Sequence, residues 1–220
     1  YKGSTTEKSK CNVVGTSEVA NFTLGSNKIY KLDLSNGGNG DYEYWYSKQP
    51  VKAINGVLYA STEMIEQAFN ISFQYDTDHN RITIVTMPYL VQNYENRVLD
   101  YGYSQLDTTT LDNQKAVLQN ILIAQKADTN GKYGVIDTQG NEILEPQYDK
   151  ITYLPYTGDF LVQIDNRVGV VSAKREQKIP IIYSSISLMD SDAGLYIVRN
   201  EGGKYGVIDR NGNVIIEPTY

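Results

Sequence analysis

The chain has 220 residues, 20 basic and 26 acidic side chains, and a net charge of −6. Residues 1–115 carry 10 basic and 13 acidic groups and residues 116–220 carry the same numbers. No basic stripe exists to neutralise phosphates, which argues against nucleic acid and against an anionic membrane surface as a direct electrostatic partner, and no direct membrane insertion is expected. One cysteine, Cys11, makes no internal disulfide, and the one histidine, His79, is too little for an imidazole-built metal centre. The 19 tyrosines are many for this length. They suit half-buried sheet faces, and also ligand surfaces that need an apolar body with a polar tip.

In chain order, residues 1–18 are rich in Ser, Thr and Lys and read as a disordered tether, or equally as a ragged start. Residues 19–34 alternate apolar and polar as one or two strands. A loop, Asn36-Gly-Gly-Asn-Gly40, leads to Tyr42-Glu-Tyr-Trp-Tyr46, where period two puts Tyr42, Tyr44 and Tyr46 on one face and Glu43 and Trp45 on the other. Asn55-Gly56 predicts a hairpin turn. Ser61 or Thr62 then caps a helix with an apolar stripe of Met64, Ile65, Ala68 and Phe69, ended by Asn70. Ile71–Tyr75 and Arg81–Thr86 read as two strands, and Met87-Pro88 breaks the second. Residues 89–115 read as a linker, with a short strand near 89–92, and 115–124 fits helix and strand alike.

The C-terminal half repeats. GKYGVIDTQGNEILEPQY (131–148) returns as GKYGVIDRNGNVIIEPTY (203–220), with a weaker copy, NRVGVVSAKREQKIPIIY (166–183), between them. Aligned on Gly134, Gly169 and Gly206, the intervals are 35 and 37 residues, and a tyrosine follows each glycine by 14 positions at Tyr148, Tyr183 and Tyr220. A fixed period of this size marks stacked supersecondary units. Each unit reads as three strands joined by tight Asn-Gly, Gly-Gly or Gly-Asn turns, with an apolar run upstream. The glycine inside the central strand implies close approach by a neighbouring backbone or ring. In the middle copy Ala173–Lys178 replaces the turn glycine with charge, which predicts a longer or distorted hairpin. The third copy stops at Tyr220 and reads as incomplete.

On these residues (Lys132–Asp137, Gly140-Asn141 and Glu145-Pro-x-Tyr148) the last hundred or so residues resemble the WG-repeat family, also called KWG repeats. Tyrosine or valine stands where many members carry tryptophan. The resemblance implies a β-rich array in bacterial, often exported, proteins and no catalytic residue. Ile54–Ser61, Met64–Phe69, Phe73–Asp76 and Arg81–Ile84 resemble the copper amine oxidase N-terminal-like domain. That α+β module is an accessory domain rather than the copper-bearing one, and its presence implies an exported or wall-facing location.

Catalytic constellations are hard to assemble. A nucleophile–base arrangement would need His79, which falls in a turn beside Asp76 and Asp78. Asp76-x-Asp78-x-Asn80 starts like a calcium loop, but the sixth place is Arg81 and the twelfth is Met87, so it reads as a hairpin turn. No Walker or dinucleotide motif occurs. The expected fold is mainly β: a small α+β domain over 19–88, a linker over 89–115, and an array of three antiparallel meander repeats over 116–220. The expected function is non-catalytic, with no cofactor or metal: an exported bacterial binding or scaffold protein meeting a cell-wall polysaccharide or an extracellular protein. Tyr42, Tyr44, Trp45 and Tyr46 form the candidate surface. Tyr133 and Tyr205 are further candidates that fit packing between strands better. The alternative is a glycan hydrolase using paired carboxylates.

Overall fold

The computed structural model describes residues 10–14, 18–33, 42–190 and 193–220. Among the described residues the fold is mainly β, built from small antiparallel sheets and three α-helices. The chain divides into two compact units, Tyr1–Met87 and Pro88–Tyr220.

The N-terminal unit opens with a four-stranded antiparallel meander, β1 (Lys10–Val14), β2 (Glu18–Thr23), β3 (Lys28–Asp33) and β4 (Tyr42–Tyr46). The expected tether of residues 1–18 is thus corrected at 10–14. That stretch pairs with β2 from Lys10 opposite Thr23 to Val14 opposite Val19, and Asn21 Nδ2 donates to Asn12 Oδ1 at 2.6 Å. Residues 1–9 and 15–17 of that expectation lie outside the described residues. Ala20, Phe22 and Ile29 are buried on one face, with Phe22 directly opposite Ile29.

Next comes a hairpin of β5 (Lys52–Ile54) and β6 (Val57–Tyr59), turned by Asn55 and Gly56, both at positive φ. Helix α1 (Thr62–Phe69) begins where Ser61 Oγ accepts the Met64 N–H and ends at Asn70, which takes the left-handed conformation. Met64 and Ala68, one turn apart, are its buried residues. Glu63 reaches back to the end of β4 and accepts from the Lys48 N–H and the Ser47 hydroxyl, so helix start and sheet end are tied. A hairpin of β7 (Ile71–Asp76) and β8 (Arg81–Thr86) completes the unit.

The second unit corrects the expected linker. Helix α2 (Met87–Asp100) occupies the stretch read as a short strand and loop. Pro88 sits in its first turn, where a missing N–H costs nothing. Leu90, Tyr94 and Val98, four residues apart, are buried along one stripe. Helix α3 (Leu111–Leu118), capped by Thr110, settles the ambiguity after residue 115 as helix followed by strand.

Three four-stranded antiparallel sheets follow. The first holds β9 (Gln105–Leu106), β10 (Ile121–Lys126), β11 (Lys132–Asp137) and β12 (Glu142–Tyr148). The second holds β13 (Lys150–Leu154), β14 (Asp159–Ile164), β15 (Arg167–Val171) and β16 (Gln177–Tyr183), and the third β17 (Ser185–Asp190), β18 (Leu195–Arg199), β19 (Tyr205–Asp209) and β20 (Val214–Ile216). Each sheet therefore has a strand more than the three read from each repeat. Between the first two sheets lies a core of Ile123, Val135, Leu144 and Tyr148 with Ile151, Tyr153, Phe160 and Val162. A second core joins Val170, Ile179 and Tyr183 to Tyr196, Val198 and Ile208.

Candidate functional site

The N-terminal sheet builds an aromatic face. The register places Tyr30 opposite Tyr44 and Lys28 opposite Tyr46, so alternate residues of β3 and β4 share one side. Tyr30 and Tyr44 have ring centroids 6.2 Å apart, and Tyr44 meets Tyr46 edge-on at 6.4 Å. The Lys28 ammonium lies 4.1 Å from the Tyr44 ring centre, 5.2 Å from Tyr30 and 5.5 Å from Tyr46. That is cation–π range for all three rings. Of the residues expected here, Tyr44 and Tyr46 are half-buried. The side chains of Tyr42 and Trp45 lie outside the described residues. Lys28 and Tyr30 were not legible as members, because strand pairing brings them in from β3.

In the array, the repeat residues make one device three times. Between β11 and β12, Tyr133 faces Tyr148 and Val135 faces Leu144, so two residues of one strand span four of the other. Val168 with Tyr183 and Val170 with Ile179 do the same in the second sheet. In the third, Val207 faces Ile216 and the Tyr205 N–H donates to the Tyr220 carbonyl at 2.6 Å. The bulge folds over the glycine. A Cβ on Gly134 would stand 2.8 Å from the Leu144 carbonyl oxygen and 3.0 Å from Pro146 N. The equivalent distance is 2.6 Å from Gly169 to the Ile179 oxygen and 2.6 Å from Gly206 to the Ile216 oxygen. No other residue fits such a place without moving backbone.

The turn before each bulge is also repeated. Asp137 Oδ1 accepts from the N–H groups of Gln139 and Asn141, both at 2.8 Å, while Asn141 Nδ2 donates to Oδ2 at 2.8 Å. Asp209 with Asn211 and Asn213 repeats the pattern. These bonds, the side-chain amide first, hold both carboxyls below the usual carboxylate range. In the second sheet Ser172 Oγ replaces the carboxylate, accepting from the Lys174 and Glu176 N–H groups at 3.2 Å. The hairpin there is neither longer nor distorted, contrary to expectation: Ser172 N–H bonds to the Glu176 carbonyl at 2.9 Å, as Asp137 N–H bonds to Asn141 at 2.9 Å. Arg175 takes the left-handed place, φ 67°, that Gly140 and Gly212 hold in the other two. Its guanidinium reaches the last strand of the preceding sheet, donating to the carbonyls of Ile143 at 3.0 Å and Glu142 at 3.1 Å and pairing with the carboxylates of Glu142 and Glu145.

Asn113 of α3 is a second residue the sequence did not announce. It is buried, and its Nδ2 donates to Asp107 Oδ2 and to the Ile151 carbonyl, both at 3.1 Å, while its Oδ1 accepts the Tyr153 N–H at 2.9 Å. One side chain thus satisfies the edge of β13 as a neighbouring strand would.

The remaining candidates stand apart. His79 closes the β7–β8 turn, its Nδ1 2.9 Å from Asp76 Oδ2, and Arg81 Nη2 reaches the same oxygen at 3.2 Å. The Asp76 carboxylate is therefore engaged by its own hairpin. Tyr133 is half-buried against the first inter-sheet core, and Tyr205 is exposed with the Arg199 guanidinium 5.5 Å from its ring centre. Among the described residues no group of three or more His, Cys, Asp or Glu is placed to hold a metal ion. Asp149 pairs with Lys132 at 2.5 Å and Asp159 with Lys178 at 2.8 Å.

A family model described as WG containing repeat matches residues 133–166 and 205–220. No curated protein matches the chain. Among solved structures it is similar to one described as KlHsv2 with loop 6CD replaced by a Gly-Ser linker, at 9% identity and a TM-score of 0.34, over 91% of this chain and 61% of that one. It is also similar to the WD40 beta propeller domain of Doa1, at 11% identity and a TM-score of 0.28, over 92% of this chain and 65% of that one. The chain thus spans somewhat under two thirds of the length of both structures. The matched segments contain the glycine–bulge–tyrosine device, and the chain is a β-rich, repeat-containing protein with two segments similar to the WG containing repeat.

Proposed function

We propose that this chain is a non-catalytic, exported bacterial binding or scaffold protein that meets a cell-wall polysaccharide through the tyrosine face of its first unit. The observation that carries the reading is Lys28 set among Tyr30, Tyr44 and Tyr46 on one side of a sheet. Aromatic rings stack on the apolar C–H faces of sugars, and phenol and ammonium groups supply the polar contacts that orient them. The stacked sheets of the second unit supply a stiff body joined through apolar cores. Export is supported by the resemblance of residues 19–88 to the copper amine oxidase N-terminal-like domain. Among the described residues no helix is long and apolar enough to cross a membrane.

The test is retention of the purified chain on insoluble peptidoglycan and on a panel of insoluble polysaccharides. The proposal expects retention on at least one of these polymers and its loss in Tyr44→Ala. Passage through every matrix, or retention that Tyr44→Ala leaves intact, sinks it.

A further inference from the structure

Three tyrosine rings of the first sheet converge on a single cation. The Lys28 ammonium lies 4.1 Å from the Tyr44 ring centre, 5.2 Å from Tyr30 and 5.5 Å from Tyr46. Tyr44 and Tyr46 stand at 88° to one another, and Tyr30 and Tyr44 at 44°. The rings therefore wall that point from more than one side, as a flat stack would not.

Rings and cation are held unequally. The backbone that carries the rings is fixed. Ile29, opposite Trp45, is fully buried. The Ser47 N–H donates to the Asn27 carbonyl at 2.9 Å, and Asn27 Nδ2 donates to the Ser47 carbonyl at 3.3 Å. The Lys28 N–H is pinned to Ser26 Oγ at 3.0 Å. The Lys28 ammonium, by contrast, ends a flexible four-carbon stem. Tyr30 leaves the cluster open to solvent, at 41% exposure. A cation–π contact at such an exposed place is weak, so the ammonium is the replaceable part of the cluster.

We infer that Tyr30, Tyr44 and Tyr46 form a cation site whose ligand group is a quaternary ammonium. The inference rests on the same tyrosine face as the proposed function and adds the group that the bound polymer carries. A primary ammonium is strongly hydrated, and its three N–H donors compete for water. A trimethylammonium has no N–H donor, sheds its water at less cost, and presents methyl groups to the ring faces. It takes the place of the Lys28 ammonium, which returns to solvent. Lys28 is then a tethered competitor, present at the site at a high effective concentration. Removing it strengthens cation binding. A lysine that contacted the ligand would give the opposite sign, and a purely structural lysine–tyrosine contact would leave no site behind.

The test titrates the parent chain, Lys28→Ala and Lys28→Gln with choline and with its uncharged isostere, in which carbon replaces the nitrogen. The methyl proton signals of each compound are followed by NMR. Both Lys28 variants are expected to bind choline about ten-fold or more tightly than the isostere, and more tightly than the parent binds choline. Tyr44→Leu in the Lys28→Gln background removes the preference for charge while the thermal transition is retained. Tyr30→Leu, at an exposed position, weakens the preference and guards against a Tyr44 variant that does not fold. Equal binding of the two compounds by both Lys28 variants overturns the inference, as does a preference for choline that survives both ring removals.

Retention on the polysaccharide panel is read separately. A retained chain without choline preference leaves the polysaccharide reading and removes the cation site. A retained chain that choline elutes and the isostere does not supports a quaternary ammonium borne on the polymer. Choline preference with passage through every matrix supports the cation site, with a free small quaternary ammonium as its ligand, and removes the polysaccharide reading.

Discussion

Arg175 Nε donates to the Ile143 carbonyl across 3.0 Å, from a turn in one sheet to the last strand of the sheet before it. Arg175 does this from a left-handed backbone that two sister turns give to glycine. A non-glycine residue there costs roughly 1–2 kcal/mol, and the guanidinium bonds offset that strain. Arg175→Ala keeps the strain and loses the bonds, whereas Arg175→Gly loses both. The alanine variant is expected to be less stable than the glycine variant by about 1 kcal/mol, measured by urea denaturation at matched m-values. Equal stability of the two would show that the turn does not impose the conformation.

Gly134 and Gly169 sit beneath a folded-over strand. Alanine at either place brings a methyl carbon within 2.8 Å or 2.6 Å of a backbone oxygen. Backbone cannot rotate out of the way as a side chain can, so each change is expected to cost about 1–3 kcal/mol. Alanine at the exposed loop glycine Gly202, with Asn200 Oδ1 at 3.3 Å as its nearest contact, is the control and is expected to cost less. A Gly134→Ala variant as stable as the parent would mean that the bulge is not a fixed part of the repeat.

Asn113 acts as a missing strand. Asn113→Ala leaves the Tyr153 N–H and the Ile151 carbonyl without their partner inside the protein. Each orphaned buried group costs about 1–3 kcal/mol. The expected signature is local: the Tyr153 amide loses exchange protection before the centre of β14 does. Uniform loss of protection across the second sheet would contradict an edge-sealing role.

Acid should loosen the repeat turns. Asp137 and Asp209 are held below their ordinary values by the Asn141 and Asn213 side chains and by backbone N–H groups, so the folded chain binds protons less readily there than the unfolded one. Asp149 is lowered likewise, chiefly through its hydrogen bond with Lys132. Their contribution is complete above the unfolded carboxylate value, near pH 4, and disappears as pH falls through the lower folded values. The Asp137→Asn, Asp209→Asn double variant removes two of these titrations. It is expected to show a shallower fall of Tm between pH 5 and pH 2 than the parent, and an unchanged slope would contradict the turn argument.

The period of the array was legible because Gly134, Gly169 and Gly206 and the tyrosines 14 residues on answer a steric demand that few other residues meet. The fourth strand of each sheet was not, since β9 has two residues and β13 lies outside the segment that runs in register from each repeat glycine to its tyrosine. Helix α2 hid behind Pro88, which reads as a breaker yet also begins helices; the spacing of Leu90, Tyr94 and Val98 was the available signal. Arg175 gave none, because a charged residue does not advertise positive φ. Alternation alone put Tyr44 and Tyr46 on one face. Adding Lys28 and Tyr30 required the β3–β4 register, which one strand's sequence does not contain.

The most direct test of the account is equilibrium depletion of the chain by the polymer that retains it, compared between the parent and Tyr44→Ala. Removing one stacked ring at the centre of the Lys28 cluster is expected to weaken binding about ten-fold or more, with thermal stability close to the parent's. Equal depletion of the two proteins would contradict binding through the tyrosine face.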